Sequence, residues 1–269
     1  MKPYLVPRAS LKRRVILSED LILEAQTLIG KATEEGALLR TLGGLAIKYH
    51  CPSASQPPLT RSIADIDLFG LAKQTKAVKK TFIGLGYVPA QQFNALHGKT
   101  RLMFFEPKTH VRRDVFLDVF VMCHKFEFRN RLGIDSFTIS LSDLLMTKLQ
   151  VVEIEERDYK DIACLLADHE LATEDAQEVI NSKYIAGICS ADWGIYRTFT
   201  QNLDKTLEYV KELNLDEPKK ATVVQRAKAL KESIEKVPKS MQWKFRDRVG
   251  DKMVWYELPE TPKAMKLDG

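Results

Sequence analysis

The 269-residue sequence predicts an α+β fold, in which a mixed sheet with helices is followed by a helical C-terminal portion. Apolar runs typical of strands alternate with helical patterns up to about residue 138, and beyond residue 140 the apolar residues recur almost only at helical spacing. The composition is 45% hydrophobic and the net charge is +5, which excludes a disulfide miniprotein, a collagen and a mainly disordered chain. We therefore expect a mixed core over residues 1–138 and a helical domain over residues 139–269.

The first half of the chain contains the signals for both helices and strands. Ser18, followed by two acidic residues, resembles a helix N-cap, and apolar residues at helical spacing continue to Gly36. Gly43-Gly44 separates a predicted strand from a short helix. The predicted elements are a helix over 18–36, a strand over 37–42, a helix over 45–50, a strand over 61–69, a helix over 73–85, and strands over 99–105 and 112–121.

The second half is predicted to be helical. Ser140 and Asp143 have the spacing of a capping box, which predicts a helix carrying Lys148. Further helices are expected over 159–167, from about Thr173, over 192–213 and over 221–237, with a short turn over 240–246. A hairpin turn is expected at 249–252.

Cysteine use and hydropathy indicate where the protein works. The four cysteines show no CxxC pairing, so reduced structural thiols and a cytosolic location are expected. No apolar run reaches the roughly 18 residues needed to span a bilayer, and the basic N-terminus lacks the apolar stretch of a signal peptide. Residues 51–130 contain 12 basic and 6 acidic residues, whereas residues 131–200 contain 6 basic and 13 acidic residues. The basic segment could attract a polyanion.

Asp65 and Asp67 are the most informative residues. Side chains two apart on a strand point to the same face, here the face opposite Ile66 and Leu68. Two neighbouring carboxylates repel each other unless a cation lies between them, and Mg²⁺ binds one or two carboxylates together with substrate phosphates. The alternative interpretation is a strand edge with one aspartate in solvent and the other in a salt bridge.

Three other features strengthen the interpretation as a metal site. Gly43-Gly44, between a strand and a helix, would let a phosphate approach backbone N–H groups. Asp118, within the apolar strand DVFLDVF, could supply a third carboxylate. Asp114 competes with it, but its position after two arginines favours pairing with them. Lys148 could reach a triphosphate, although a lysine on a helix flank commonly extends to water.

Taken in chain order, these residues resemble those of the AbiEii/AbiGii toxin type of nucleotidyltransferase. This type comes from type IV toxin–antitoxin systems and lies within the DNA polymerase beta-like superfamily. The matching features are a strand followed by Gly43-Gly44 and a helix, then Arg61 and Asp65-Ile66-Asp67, and finally a later strand with Asp118. Two downstream segments, LLMTKL over 144–149 and RDYKD over 157–161, also match. The resemblance covers roughly residues 20–168. It departs from the family in the long loop before Asp65 and in Cys164, which replaces an acidic residue.

The resemblance implies a nucleotidyltransferase fold and a transfer of a nucleoside monophosphate from an NTP to a hydroxyl group. Asp65, Asp67 and Asp118 would bind two Mg²⁺ ions, with Mn²⁺ as an alternative. Gly43 and Gly44 would hold the β- and γ-phosphates. Lys148, together with Arg61 or Lys160, would neutralise the remaining charge. The acceptor could be a tRNA 3′ end, a protein side chain or a small molecule, and an antitoxin protein could be a partner.

Two other classes of function stay open at this point. One is a non-catalytic module that binds RNA or an antitoxin, although such a module has no need for three clustered carboxylates. The other is a metal-dependent phosphohydrolase that uses the same carboxylates, although the glycine turn and the lysine helix fit a triphosphate better. Arg61 could also be a salt-bridge partner, and the role of residues 170–269 is not assigned.

Overall fold

A computed structural model describes residues 18–259 and confirms the α+β fold class. A five-stranded mixed sheet lies in the first half of the chain, and helices form most of the second half. The helices are α1 (Ser18–Glu34), α2 (Gly43–His50), α3 (Thr75–Gly84), α4 (Gln91–His97), α5 (Leu141–Leu149), α6 (Glu156–Asp168), α7 (Ser182–Ala191), α8 (Trp193–Glu212), α9 (Glu217–Lys236) and α10 (Met241–Val249). The strands are β1 (Leu39–Leu42), β2 (Ile66–Gly70), β3 (Val88–Pro89), β4 (Arg101–Phe105), β5 (Arg112–Leu117), β6 (Val119–Val121), β7 (Lys125–Glu127), β8 (Glu170–Ala172) and β9 (Val179–Asn181).

The large sheet has the strand order β1-β2-β5-β4-β3. Strands β2 and β5 run parallel at its centre, with Asp67 opposite Asp114, and the other pairs are antiparallel. Strand β1 pairs with β2 so that Leu42 lies opposite Asp67. Because α2 begins at Gly43, directly after this pair, the start of the helix is held beside the centre of the sheet.

The two faces of the sheet are covered by different layers. On one face, Ile66 and Leu68 pack against α1 and α3, where Phe82 is fully buried. On the other face, Phe69 and Phe116 join a larger core with α2 and the helices from α5 to α9. Neighbouring residues of β2 thus enter opposite cores, as strand alternation requires. The larger core contains residues from both sides of position 138, and the division into domains at that point stays a prediction.

Several predicted elements are corrected. The strand expected over 112–121 is interrupted at Asp118, whose φ of 59° ends β5 before β6 starts. The helix expected near Thr173 is absent there, and α7 starts at Ser182 after the β8–β9 pair. The predicted cap of α5 is confirmed, since the Asp143 N–H donates to Ser140 Oγ at 3.2 Å. The turn over 249–252 is a short 3₁₀ helix rather than a hairpin.

Within residues 18–259, none of the helices combines enough length with enough apolar surface to traverse a bilayer.

Candidate active site

Three carboxylates meet at the centre of the large sheet. Asp65 immediately precedes β2, Asp67 lies in β2, and Asp114 lies opposite Asp67 in β5. Parallel neighbouring strands lie about 4.8 Å apart, so the two aligned carboxyl groups project close together from one face. Asp65 is exposed, Asp67 is half-buried and Asp114 is only 1% exposed. The DxD interpretation is therefore extended by an aspartate from the adjacent strand.

Burial and mutual repulsion perturb this group electrostatically. Burial, followed by the charges of Asp114 and Asp65, raises the pKa of Asp67 to about 6, against the lowering influence of Arg101 and Arg112. The two arginines pair with Asp114, through Nε atoms 2.9 and 2.6 Å from its carboxylate oxygens. Three carboxylates thus face two guanidinium groups. The remaining negative charge is what a cation would neutralise.

Asp118 lies apart from this cluster, so the structure brings Asp114, and not Asp118, beside Asp67. Its backbone N–H donates to the Gly70 carbonyl at 2.9 Å, and its Oδ1 accepts from the Ala72 N–H at 3.1 Å. Gly70 lies three residues beyond Asp67 on β2. At the usual rise per residue, Asp118 is therefore about 10 Å further along the strand than Asp67. The carboxyl group of Asp118 therefore organises the turn after β2.

Gly43 lies against the side chain of Asp67, and Gly44 lies against that of Arg61. Gly43 has φ of 72°, and a Cβ at this position would lie 2.8 Å from Asp67 Oδ2. A Cβ on Gly44 would overlap the Arg61 guanidinium. The N-cap residue of α2, Leu42, makes no side-chain cap. The glycines therefore leave the N-terminus of α2 accessible beside Asp67, and such a helix end attracts anions.

Arg61 and Lys148 form a charge network with two aspartates of α6. Arg61 donates from Nε and Nη2 to the Asp161 carboxylate at 2.8 and 2.7 Å. Lys148 Nζ lies 2.8 Å from Asp161 Oδ2 and 3.3 Å from Asp158 Oδ1. Burial alone would lower the pKa of Lys148, but the two carboxylates hold it above its ordinary value. Two cations and two carboxylates balance, so this network is neutral.

The predicted phosphate-binding cations are therefore not equivalent. Arg61 lies directly on Gly44 and forms the boundary of the site. Lys148 is held within the helical layer by its two carboxylates. Lys160 pairs with Glu156 at 2.9 Å, and Glu156 also accepts from the Tyr209 hydroxyl of α8 at 3.3 Å. The structure thus places Lys160 in a contact between helices rather than in the Arg61 network.

The sequence patterns did not predict that Asp161 pairs with Arg61 and Lys148. They also ranked Asp114 below Asp118 as a member of the carboxylate cluster. One signal was present for Asp161, because an aspartate and a lysine embedded in two apolar helices require oppositely charged partners. For Asp114, the only signal was its presence on a strand that could pair with β2. The strand register that selects it over Asp118 is a property of the folded sheet.

Sequence and structure comparisons were made with known proteins. No family model matches the sequence, and no curated protein sequence matches it. Among solved structures, the lincosamide antibiotic adenylyltransferase LnuA, with lincomycin bound, is similar over 56% of this chain and 98% of its own, at 15% identity and a TM-score of 0.39. The antibiotic-resistance factor ANT(2'')-Ia is similar over 55% of this chain and 84% of its own, at 12% identity and a TM-score of 0.37. Function must therefore be argued from the residues of this chain.

Proposed function

We propose that this protein is a nucleotidyltransferase that moves a nucleoside monophosphate from an NTP to a hydroxyl group and releases pyrophosphate. The observation that supports this proposal most directly is the position of Asp67. It lies between two further carboxylates and in contact with the glycine turn at the start of α2. One arrangement thus combines hard oxygen ligands with a site for phosphate. That combination fits a metal-bound triphosphate better than either element does alone.

The donor set fits Mg²⁺, because Asp65, Asp67 and Asp114 supply only carboxylate oxygens and retain net negative charge beside the two arginines. These three residues would hold the metal, which when bound stabilises negative charge on the phosphoryl oxygens. Mn²⁺, which also accepts oxygen ligands, is the natural substitute.

The protein's own groups have distinct tasks in this proposal. Backbone N–H groups at Gly43 and Gly44 bind the β- and γ-phosphates. Arg61, which Asp161 holds in place, limits the movement of the phosphates next to Gly44. Asp114 takes the task that the family resemblance implied for Asp118, which is to orient the attacking hydroxyl or to accept its proton.

The acceptor proposal is a polyanion such as a tRNA 3′ end. Residues 51–130, which contain Asp65, Asp67 and Asp114, also carry the excess of basic residues. Together with the family resemblance, this charge supports an RNA acceptor and the role of a toxin countered by an antitoxin protein.

The direct test is incubation with each labelled NTP, Mg²⁺ and total RNA, with protein and small-molecule antibiotic acceptors in parallel. Wild-type protein should label one acceptor class with release of pyrophosphate, and Asp67→Asn and Asp114→Asn should lose at least a hundredfold in rate. Asp118→Asn is the matched control and should keep activity within a few-fold. Equal losses in Asp114→Asn and Asp118→Asn would contradict the revised carboxylate set.

The same experiment distinguishes the other classes of function. Release of inorganic phosphate without label on an acceptor would indicate a phosphohydrolase. Binding of RNA without any turnover of the four NTPs would indicate a non-catalytic module. Far-ultraviolet circular dichroism of each variant checks that a loss of activity does not reflect a loss of fold.

A further inference from the structure

A second group of potential metal ligands lies at the other end of α2, away from the carboxylate cluster. It comprises His50 at the last position of α2, Asp135 in the segment before α5, and Glu178 before β9. One ligand atom from each of the three residues lies within 4.8 Å of the other two. Seven residues of helix separate His50 from Gly43, which corresponds to about 10 Å. The group is therefore distinct from the proposed catalytic site.

Hydrogen bonds determine which nitrogen of His50 faces the carboxylates. The Thr138 hydroxyl donates to the Ile139 carbonyl at 2.6 Å, so towards His50 Nε2, 2.8 Å away, its oxygen acts as acceptor. Nε2 therefore carries a proton. The other ring nitrogen, Nδ1, lies 2.6 Å from Glu178 Oε1. With Nε2 bonded to Thr138, the Nδ1 lone pair points at the Glu178 carboxylate, which places both groups where they can bind one metal ion.

The surroundings orient the other two residues. Asp135 Oδ1 accepts from the N–H groups of Phe137 and Thr138, both at 2.7 Å, which fixes the carboxyl group. His169 Nδ1 lies 3.3 Å from the Glu178 carbonyl oxygen and 3.3 Å from its Oε2, which helps to fix the position of Glu178. Partners that fix the ligands in this way are typical of metal sites.

The geometry points to a structural site for a divalent transition metal, with His50 Nδ1, Asp135 and Glu178 as ligands, and we propose Zn²⁺ as its occupant. One imidazole nitrogen with two carboxylates suits Zn²⁺, and the two negative charges balance the ion. Bonds of about 2.1 Å place tetrahedral ligands about 3.4 Å apart, which the present spacing reaches by small side-chain movements. The metal would bind the Nδ1 lone pair of His50, while the ring proton stays on Nε2 towards Thr138.

The consequence of binding would be to connect three segments of the chain. His50 ends α2, Asp135 lies between β7 and α5, and Glu178 lies between β8 and β9. Glu178 has φ of 57°, an uncommon conformation for a glutamate, and its side chain is 57% exposed, so an ion can enter from solvent. Zn²⁺ would thus tie the sheet layer to the helical layer without contact with the nucleotide site.

The test uses full-length protein treated with a chelator and then titrated with Zn²⁺, in the Asp67→Asn background so that the carboxylate cluster has lost its central ligand and binds metal more weakly. This protein should retain one equivalent of Zn²⁺ after gel filtration and should unfold at a higher temperature with the ion. Glu178→Gln should weaken binding at least tenfold, whereas Glu174→Gln, an exposed residue of the same segment, should not change it. Equal Zn²⁺ affinity in the two glutamine variants, or no retained Zn²⁺, would overturn the proposal.

Co²⁺ gives an independent readout of the ligand set. Bound Co²⁺ should show visible absorption typical of nitrogen and oxygen ligands, and His50→Gln should abolish it. Cys51 follows His50, and its Sγ lies 3.6 Å from His169 Nε2. Intense thiolate-to-metal absorption would place Cys51 in the ligand set and overturn the assignment. Circular dichroism of each variant before metal addition confirms the fold, so that weaker binding reports on the ligands.

Discussion

The Asp67 carboxylate is predicted to destabilise the metal-free protein. Its pKa in the folded protein is about 6, whereas the ordinary value is 3.8. Each unit of difference corresponds to about 1.4 kcal/mol, so ionisation of Asp67 removes up to roughly 3 kcal/mol from the free energy of unfolding. No side-chain hydrogen bond to the Asp67 carboxylate offsets this among residues 18–259. Asp67→Asn, which cannot ionise, should therefore be more stable than wild type at pH 7.5.

The difference in proton binding between the folded and unfolded states determines whether stability rises or falls with pH. A carboxyl group with a raised pKa holds its proton more tightly in the folded state, so wild-type stability falls as pH rises from about 4 to about 6 and then levels off. The advantage of Asp67→Asn should be absent near pH 4 and complete above pH 6.5. Urea unfolding in EDTA between pH 4.5 and 7.5 measures it.

Metal addition should remove most of this stability difference. A ligand at one hundred times its Kd stabilises the folded state by about 2.7 kcal/mol, so Mg²⁺ should stabilise wild type at pH 7.5 but not the variant. A stability difference that does not change between pH 4.5 and 7.5, or a less stable Asp67→Asn at pH 7.5, would refute the electrostatic reasoning.

Three further substitutions test other parts of the site. Gly43→Ala should cost about 1 kcal/mol or more in unfolding free energy, because its φ is positive and the Cβ meets Asp67 Oδ2, and it should weaken NTP binding in a calorimetric titration. Arg61→Ala should destabilise the protein by about 1–3 kcal/mol in urea unfolding, since Asp161 loses two hydrogen bonds but keeps one cation; an unchanged midpoint would contradict this. Lys160→Ala should leave transfer activity within about twofold, because Lys160 pairs with Glu156 of its own helix and not with the carboxylate cluster; a hundredfold loss would place Lys160 in the nucleotide site.

Local patterns were sufficient for much of the fold. The change from mixed to helical periodicity, the cap at Ser140 and the glycine turn depend on residues close in sequence, and the structure contains each of them. The helix expected at Thr173 was wrong for a non-local reason. Asp175, which resembles part of a helical first turn, instead accepts two hydrogen bonds from Arg131, at 2.7 and 3.0 Å.

The candidate site likewise contains residues that local patterns predict and residues that depend on the folded sheet. Strand alternation places Asp67 and a turn places Gly43, and both are visible locally, whereas Asp65 lies just before β2 because the strand predicted over 61–69 begins only at Ile66. The choice between Asp114 and Asp118 depends on where β5 ends and on its register against β2. Nothing within five residues of either aspartate determines that register, because it is set by the packing of the whole sheet.

The contact between Gly44 and Arg61 has a consequence for how this chain can vary. Arg61 is oriented by Asp161, a residue one hundred positions away, and Asp161 in turn holds Lys148. A recombination event that exchanged only the sheet half with a relative would leave this charge set incomplete. Acceptable sequence changes at positions 61, 148 and 161 are therefore coupled, and the two halves of the chain are expected to be inherited together.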